Sequence, residues 1–141
     1  MIQIDVVSVT DILDHIKSKS DHLNTVITSK NVYSIEDEQA LVERIVELII
    51  QAMIDIGSHV LARQFSIRPK SYAEVFLLLK DNKVITNTLY NKIEGLSGLR
   101  NLLVHDYFTI EFNILKKNSY ELVTDSKNFI NEINRWLKSN R

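Results

Sequence analysis

Cysteine is absent from the 141-residue sequence, and proline and glycine are scarce, with one and three residues. Without cysteine there is no disulfide framework and no thiolate metal site, and an intracellular compartment fits best. So little proline and glycine excludes collagen-like and linker-like chains, and a hydrophobic share of 45% is too high for a disordered chain. We therefore expect a single globular domain over residues 1–141.

Long apolar runs and an excess of basic charge are also missing. No basic segment precedes an apolar stretch at the N-terminus, so we expect no signal peptide, no membrane span and a cytoplasmic protein. Because 17 Lys and Arg residues stand against 18 Asp and Glu residues, the net charge is −1. A general nucleic-acid-binding surface is not expected, and any such contact must come from a local site.

Apolar residues recur at helical spacing almost throughout, and the alternation typical of strands hardly occurs, which predicts an all-α fold. The strongest helix is predicted from Ser34 to about Gln64. Its apolar residues cover more than one side, so it is either a central core helix or also part of a dimer interface. Short loops favour an antiparallel bundle of four to five helices. Three other helices are predicted to begin at Ser8, Ser71 and Thr86, and a last one lies mainly over residues 119–138. The helix that begins at Ser71 has an apolar stripe of Tyr72, Val75, Phe76 and Leu79.

The helix predicted from Thr86 carries an arginine on its apolar face. On a helical wheel Arg100 falls between Leu89 and Ile93, in the middle of the apolar stripe. Because a buried guanidinium is costly, Arg100 must pair with an acid, extend to solvent or line a cleft that an anion enters. In a continuous helix His105 would point about 140° away from Arg100. The two side chains converge only if the helix ends near Val104 or if a second copy of the chain completes the site.

An Arg and a His that face one phosphate suit RNA cleavage without a metal. Imidazole titrates near neutral pH and exchanges protons with the ribose 2′-OH and the leaving oxygen, while guanidinium holds the phosphate. The 2′-OH is the internal nucleophile, so RNA rather than DNA would be cut. In the alternative interpretation, Arg100 forms a salt bridge inside the bundle and His105 is stabilised at a helix C-terminus.

The segment from Arg100 to Tyr107 resembles the RxxxxHxY signature of the HepT family of HEPN-domain toxins. Residues 52–60 resemble that family's long second helix, and Ser71 and Tyr72 with residues 95–99 fit its third and fourth helices. The resemblance covers about residues 40–112. It implies an HEPN-like antiparallel bundle that forms a homodimer.

The resemblance also implies a role for each matching residue. Arg100 and His105 would be the ribonuclease residues, in a cleft at the homodimer interface, with no metal or cofactor. Asn101 would orient the site, and Asp55 would support it. Tyr107 matches the tyrosine that a MntA-type nucleotidyltransferase antitoxin modifies with AMP, which puts negative charge and bulk where the RNA phosphate should lie.

Two functions are compatible with these residues. The first is a metal-independent endoribonuclease toxin of a type VII-like toxin-antitoxin system, with RNA, tRNA among the candidates, as its substrate. The alternative is a non-catalytic HEPN dimer that binds a nucleotidyltransferase partner or a nucleotide in the same cleft. The near-neutral net charge and the extra carboxylate of Asp106 slightly favour that alternative.

Overall fold

The computed structural model describes residues 3–105 and 110–140, and this part of the chain contains six α-helices and no strand. The all-α class and the helical bundle are therefore confirmed. The last helix runs from Phe112 to Ser139 and includes the main part predicted over residues 119–138, and its buried stripe already begins at Leu115. The helices are α1 (Val6–Thr28), α2 (Ile35–Phe65), α3 (Tyr72–Asp81), α4 (Asn87–Ile93), α5 (Leu96–Val104) and α6 (Phe112–Ser139).

Helix α2 is the centre of the bundle and contacts α1, α3, α5 and α6. Its length and its mean hydropathy of 1.6 over 18 residues would suit a membrane span, but 61% of that window is buried inside the bundle. The neighbours cover α2 on several sides, as its two apolar rows require. The interpretation of α2 as a core helix is confirmed, and a role in a dimer interface stays a prediction.

The capping residues fix where the helices begin. Ser34 caps α2 and Thr86 caps α4, as predicted, and each side chain accepts a hydrogen bond from a first-turn backbone N–H. Helix α1 is capped by Asp5 rather than by the predicted Ser8. The Asp5 carboxylate accepts from the backbone N–H of Ser8 at 3.1 Å and from its hydroxyl at 2.8 Å, which lowers the pKa of Asp5. Ser8 therefore lies in the first turn of α1.

The single helix predicted from Thr86 through the Arg100 region is divided into α4 and α5 by a turn at Glu94 and Gly95. Glycine is about 1 kcal/mol less favourable than alanine inside a helix, and Gly98 follows within one turn. Because this turn interrupts the helix, a single wheel shared with α4 does not place Arg100. Arg100 must be located from the contacts of α5 itself.

Helix α3 approaches α2 closely at Gly57. A Cβ atom at this position would lie 2.5 Å from Val75 Cγ1 and 3.0 Å from Leu79 Cδ1, so a larger residue would push the helices apart. Cβ atoms at Gly95 and Gly98 would meet nothing within 4 Å. The close contact at Gly57 sets the position of α3 and thereby of Tyr72 at its N-terminus.

Candidate active site on helix α5

Helix α5 lies on α2 and α3 and is only partly covered by them. Of its nine residues only Ser97 is buried, and the apolar residues Leu96, Leu99 and Leu103 are half-buried. Leu102 and Val104 are 43% and 40% exposed. The predicted stripe residues of α5 therefore pack against the core, while Leu102 and Val104, which lie outside that stripe, are left open by the rest of the described chain.

Arg100 is half-buried on α5, with its guanidinium carbon 5.2 Å from the centre of the Tyr72 ring. This cation–π contact orients the guanidinium. Its Nε atom is buried and has no hydrogen-bond partner in the described part of the chain, and Nη1 makes one long hydrogen bond, 3.4 Å, to Asn101 Oδ1. No carboxylate of the described residues lies within 4.0 Å of Arg100. The guanidinium thus keeps donors that an anion can use.

His105 is the C-cap residue of α5. The helix ends at Val104, and His105 has extended backbone angles, φ −94° and ψ 96°, with its N–H directed to the Asn101 carbonyl at 3.3 Å. Its side chain is exposed. The expected helix end near Val104 is confirmed. Asp106 and Tyr107 lie outside the described residues.

The two predicted supporting residues, Asn101 and Asp55, differ in whether they contact Arg100. Asn101 is exposed beside Arg100 and provides the acceptor just described. Asp55 is exposed on α2, where it accepts a hydrogen bond from Gln51 Nε2 at 2.8 Å, and it does not pair with Arg100. An orienting role for Asn101 is compatible with its contact, and Asp55 has no such contact with Arg100.

Tyr72 is a site residue that the sequence analysis missed. Its position in the predicted apolar stripe of α3 implied burial, but its side chain is 44% exposed and lies against Arg100. The two residues are far apart in sequence, and only the packing of α5 on α3 brings them together. The available signal was indirect, because a cation on an apolar helix face needs an aromatic or acidic neighbour.

The sequence matches a known family. Residues 8–133 match the family described as Ribonuclease HepT-like, and the chain belongs to that family.

The similar proteins include two nucleases and a toxin of known structure. The chain is 36% identical over 101 residues to the tRNA nuclease HepT of Aphanizomenon flos-aquae, covering 72% of this chain and 65% of that protein. It is 34% identical over 83 residues to the mRNA nuclease HepT of Shewanella oneidensis, covering 59% of this chain and 62% of that protein. The matched stretches thus span less than two thirds of these relatives. A solved structure of a tri-AMPylated Shewanella oneidensis HEPN toxin in complex with an MNT antitoxin superposes with a TM-score of 0.81 at 26% identity, covering 90% of this chain and 96% of that chain.

Proposed function

We propose that this chain is a metal-independent endoribonuclease toxin, with Arg100 holding the scissile phosphate and His105 transferring protons. The observation that carries the proposal is a guanidinium fixed against Tyr72, unpaired with any described carboxylate, and followed by an exposed histidine where the helix ends. Membership of the Ribonuclease HepT-like family supports it.

The two side chains suit in-line attack within the RNA itself. The imidazole of His105 takes the proton of the 2′-OH while the bond from the 2′-oxygen to phosphorus forms. The bond from phosphorus to the 5′-oxygen breaks, and that oxygen receives a proton from an imidazolium or from water. Arg100 stabilises the extra charge on the phosphoryl oxygens. The products are a 2′,3′-cyclic phosphate and a free 5′-hydroxyl.

A homodimer completes this site in the proposal. Leu77 on α3 and Leu102 and Val104 on α5 are apolar side chains with exposed surface, and these two helices are in contact. A second copy of α5 would cover them, since exposed apolar patches mark association surfaces. Through two-fold symmetry it would bring a second Arg100 and His105 to the same cleft.

The same proposal assigns the regulation to Tyr107, two positions after His105. A MntA-type nucleotidyltransferase would attach AMP to its hydroxyl, and the added phosphate would repel the RNA phosphate. The AMPylated state of the similar Shewanella toxin supports this assignment. Such a toxin acts on RNA in the cytoplasm, which fits a chain without cysteine.

The test is RNA cleavage in EDTA by protein whose intact mass shows no AMP. We expect the wild-type chain to leave 2′,3′-cyclic phosphate ends, and His105→Ala and Arg100→Ala to lose about 10²–10⁴-fold in rate. Arg135→Ala, which removes an exposed arginine from α6, is the matched control and should cleave normally. Full cleavage by His105→Ala would contradict the proposed mechanism.

The net charge of −1 favours one other function, a non-catalytic dimer that binds a nucleotidyltransferase or a nucleotide through the same cleft. In that case neither the wild-type chain nor any of the variants would cut RNA. Arg100→Ala would instead weaken binding of the nucleotidyltransferase, measured by calorimetry with the purified partner.

A further inference from the structure

A groove of about 480 Å³ lies between the C-terminal part of α2 and the loop that precedes α3. Ser58 of α2 lines one side, and Arg68, Pro69, Lys70 and Tyr72 line the other. Tyr72 is also the residue on which the Arg100 guanidinium lies. The groove therefore adjoins the proposed active site through a shared side chain.

Two cations on this groove are available to a ligand. Arg68 and Lys70 are exposed, and neither side-chain cation lies within 4.0 Å of a carboxylate in the described ranges. The carboxylate of Glu74 accepts from the backbone N–H of Lys70 at 2.7 Å, which fixes the loop against the start of α3. The backbone of the loop is thus fixed at Lys70, and neither of the two side chains that line the groove forms an ion pair with a described carboxylate.

An exposed aromatic ring next to two unpaired cations is the combination that binds single-stranded nucleic acid. Bases stack on the ring, and cations contact the backbone phosphates. A chain with a net charge of −1 can bind RNA only through such a local site. A free nucleotide has the same chemistry, but a groove that shares Tyr72 with the proposed phosphate site at Arg100 favours a polymer.

We propose that this groove binds the single-stranded RNA nucleotide next to the scissile phosphate, with its base on the Tyr72 ring and its phosphate between Arg68 and Lys70. The inference rests on the proposed ribonuclease function and adds the binding site for a neighbouring nucleotide. It also makes Tyr72 a residue with two contacts, one to Arg100 and one to the substrate.

The test measures binding of a fluorescein-labelled single-stranded oligoribonucleotide in a His105→Ala background, where the RNA stays intact. Arg68→Ala/Lys70→Ala should weaken binding about tenfold and reduce the slope of log K against log salt by about 0.7, since the two cations hold one phosphate and each phosphate contact contributes about 0.7. The matched control is Lys17→Ala/Lys127→Ala, which removes two charges from α1 and α6 and should reduce the slope much less.

Tyr72 needs variants that separate stacking from its contact with Arg100. Tyr72→Leu should weaken binding at least fivefold, and Tyr72→Phe, which keeps the ring, by less than twofold. The loss from Tyr72→Leu should persist in an Arg100→Ala background. If it disappears there, Tyr72 acts only through Arg100 and the stacking assignment is wrong.

The remaining outcomes overturn the inference in distinguishable ways. If the wild-type chain cleaves RNA and the groove variants bind like the control pair, the groove is not a substrate site, although the proposed function stands. If AMP alone competes with the oligonucleotide and its affinity depends on Arg68 and Lys70, the groove is a mononucleotide site. If the wild-type chain neither binds nor cuts RNA, the proposed function fails and this inference fails with it.

Discussion

The three long helices and the short helix α5 bury their apolar residues to very different extents. In α2 twelve residues are buried, among them Ile49, Ile50 and Met53, whose side chains have no exposed surface. In α5 the corresponding leucines are half-buried, and Leu102 and Val104 reach solvent. A helix that the bundle covers incompletely can carry a charged guanidinium and present apolar surface to a partner. The difference separates the part of the molecule that holds the fold from the part that is available for chemistry.

The largest expected effect is on the free energy of unfolding when a residue of the tightly packed core is changed. Phe129 has no exposed surface and packs edge-to-face on Phe76, with the ring centres 6.2 Å apart. Phe129→Ala should therefore lower the free energy of unfolding by about 3–5 kcal/mol. Leu103→Ala on α5 should cost only about 1 kcal/mol, because less apolar area is buried there. Urea unfolding followed by circular dichroism measures both, and equal losses would contradict the difference between the regions.

Substitution of two glycines by alanine tests the same difference between the packed core and α5, because each change adds a single methyl group. Gly57→Ala should destabilise the chain by about 1–3 kcal/mol, because its Cβ would meet Val75 and Leu79 across the contact between α2 and α3. Gly98→Ala on α5 meets nothing within 4 Å and should stabilise it by about 0.5–1 kcal/mol. Thermal unfolding of both variants should shift in opposite directions. A stable Gly57→Ala variant would mean that α3 can move away without cost.

Much of the fold could be predicted from the sequence, but the arrangement of the candidate site could not, because it depends on tertiary packing. Helical periodicity and capping residues such as Ser34 are local signals, so the fold class and the start of α2 followed from them. The break at Gly95 was missed because the apolar stripe continues across it. The contact between Tyr72 and Arg100 was missed because it depends on how α5 packs on α3, which no local pattern records. The groove at Arg68 likewise depends on tertiary packing, in this case of α3 and its preceding loop against α2.

A charged residue on the exposed face of α5 should prevent the proposed dimer from forming without destabilising the fold. Leu102→Glu introduces a carboxylate at a position that is 43% exposed, so the folded chain should tolerate it within about 0.5 kcal/mol. At the proposed dimer interface the two symmetry-related carboxylates would repel each other, and RNA cleavage should fall at least tenfold. Ile114→Glu, at a 53% exposed position on α6, is the control. Analytical ultracentrifugation should show monomers for Leu102→Glu alone, and a dimer of that variant would place the interface elsewhere.

The smallest expected effect concerns a carboxylate in the well-packed part of the chain. Asp125 on α6 is 8% exposed, and burial raises its pKa above 3.8, with a further increase from Glu121 and an opposing decrease from Lys92. Because the folded pKa is the higher one, Asp125 favours folding below pH 3.8, and this contribution is lost as the pH rises through the folded value. Asp125→Asn should therefore raise the melting temperature by a few degrees at pH 7 but not at pH 3. Glu121→Gln, an exposed neighbour, should show a smaller difference between the two pH values. An Asp125→Asn variant that is less stable at pH 7 would show that the buried carboxylate makes a favourable contact which outweighs its desolvation.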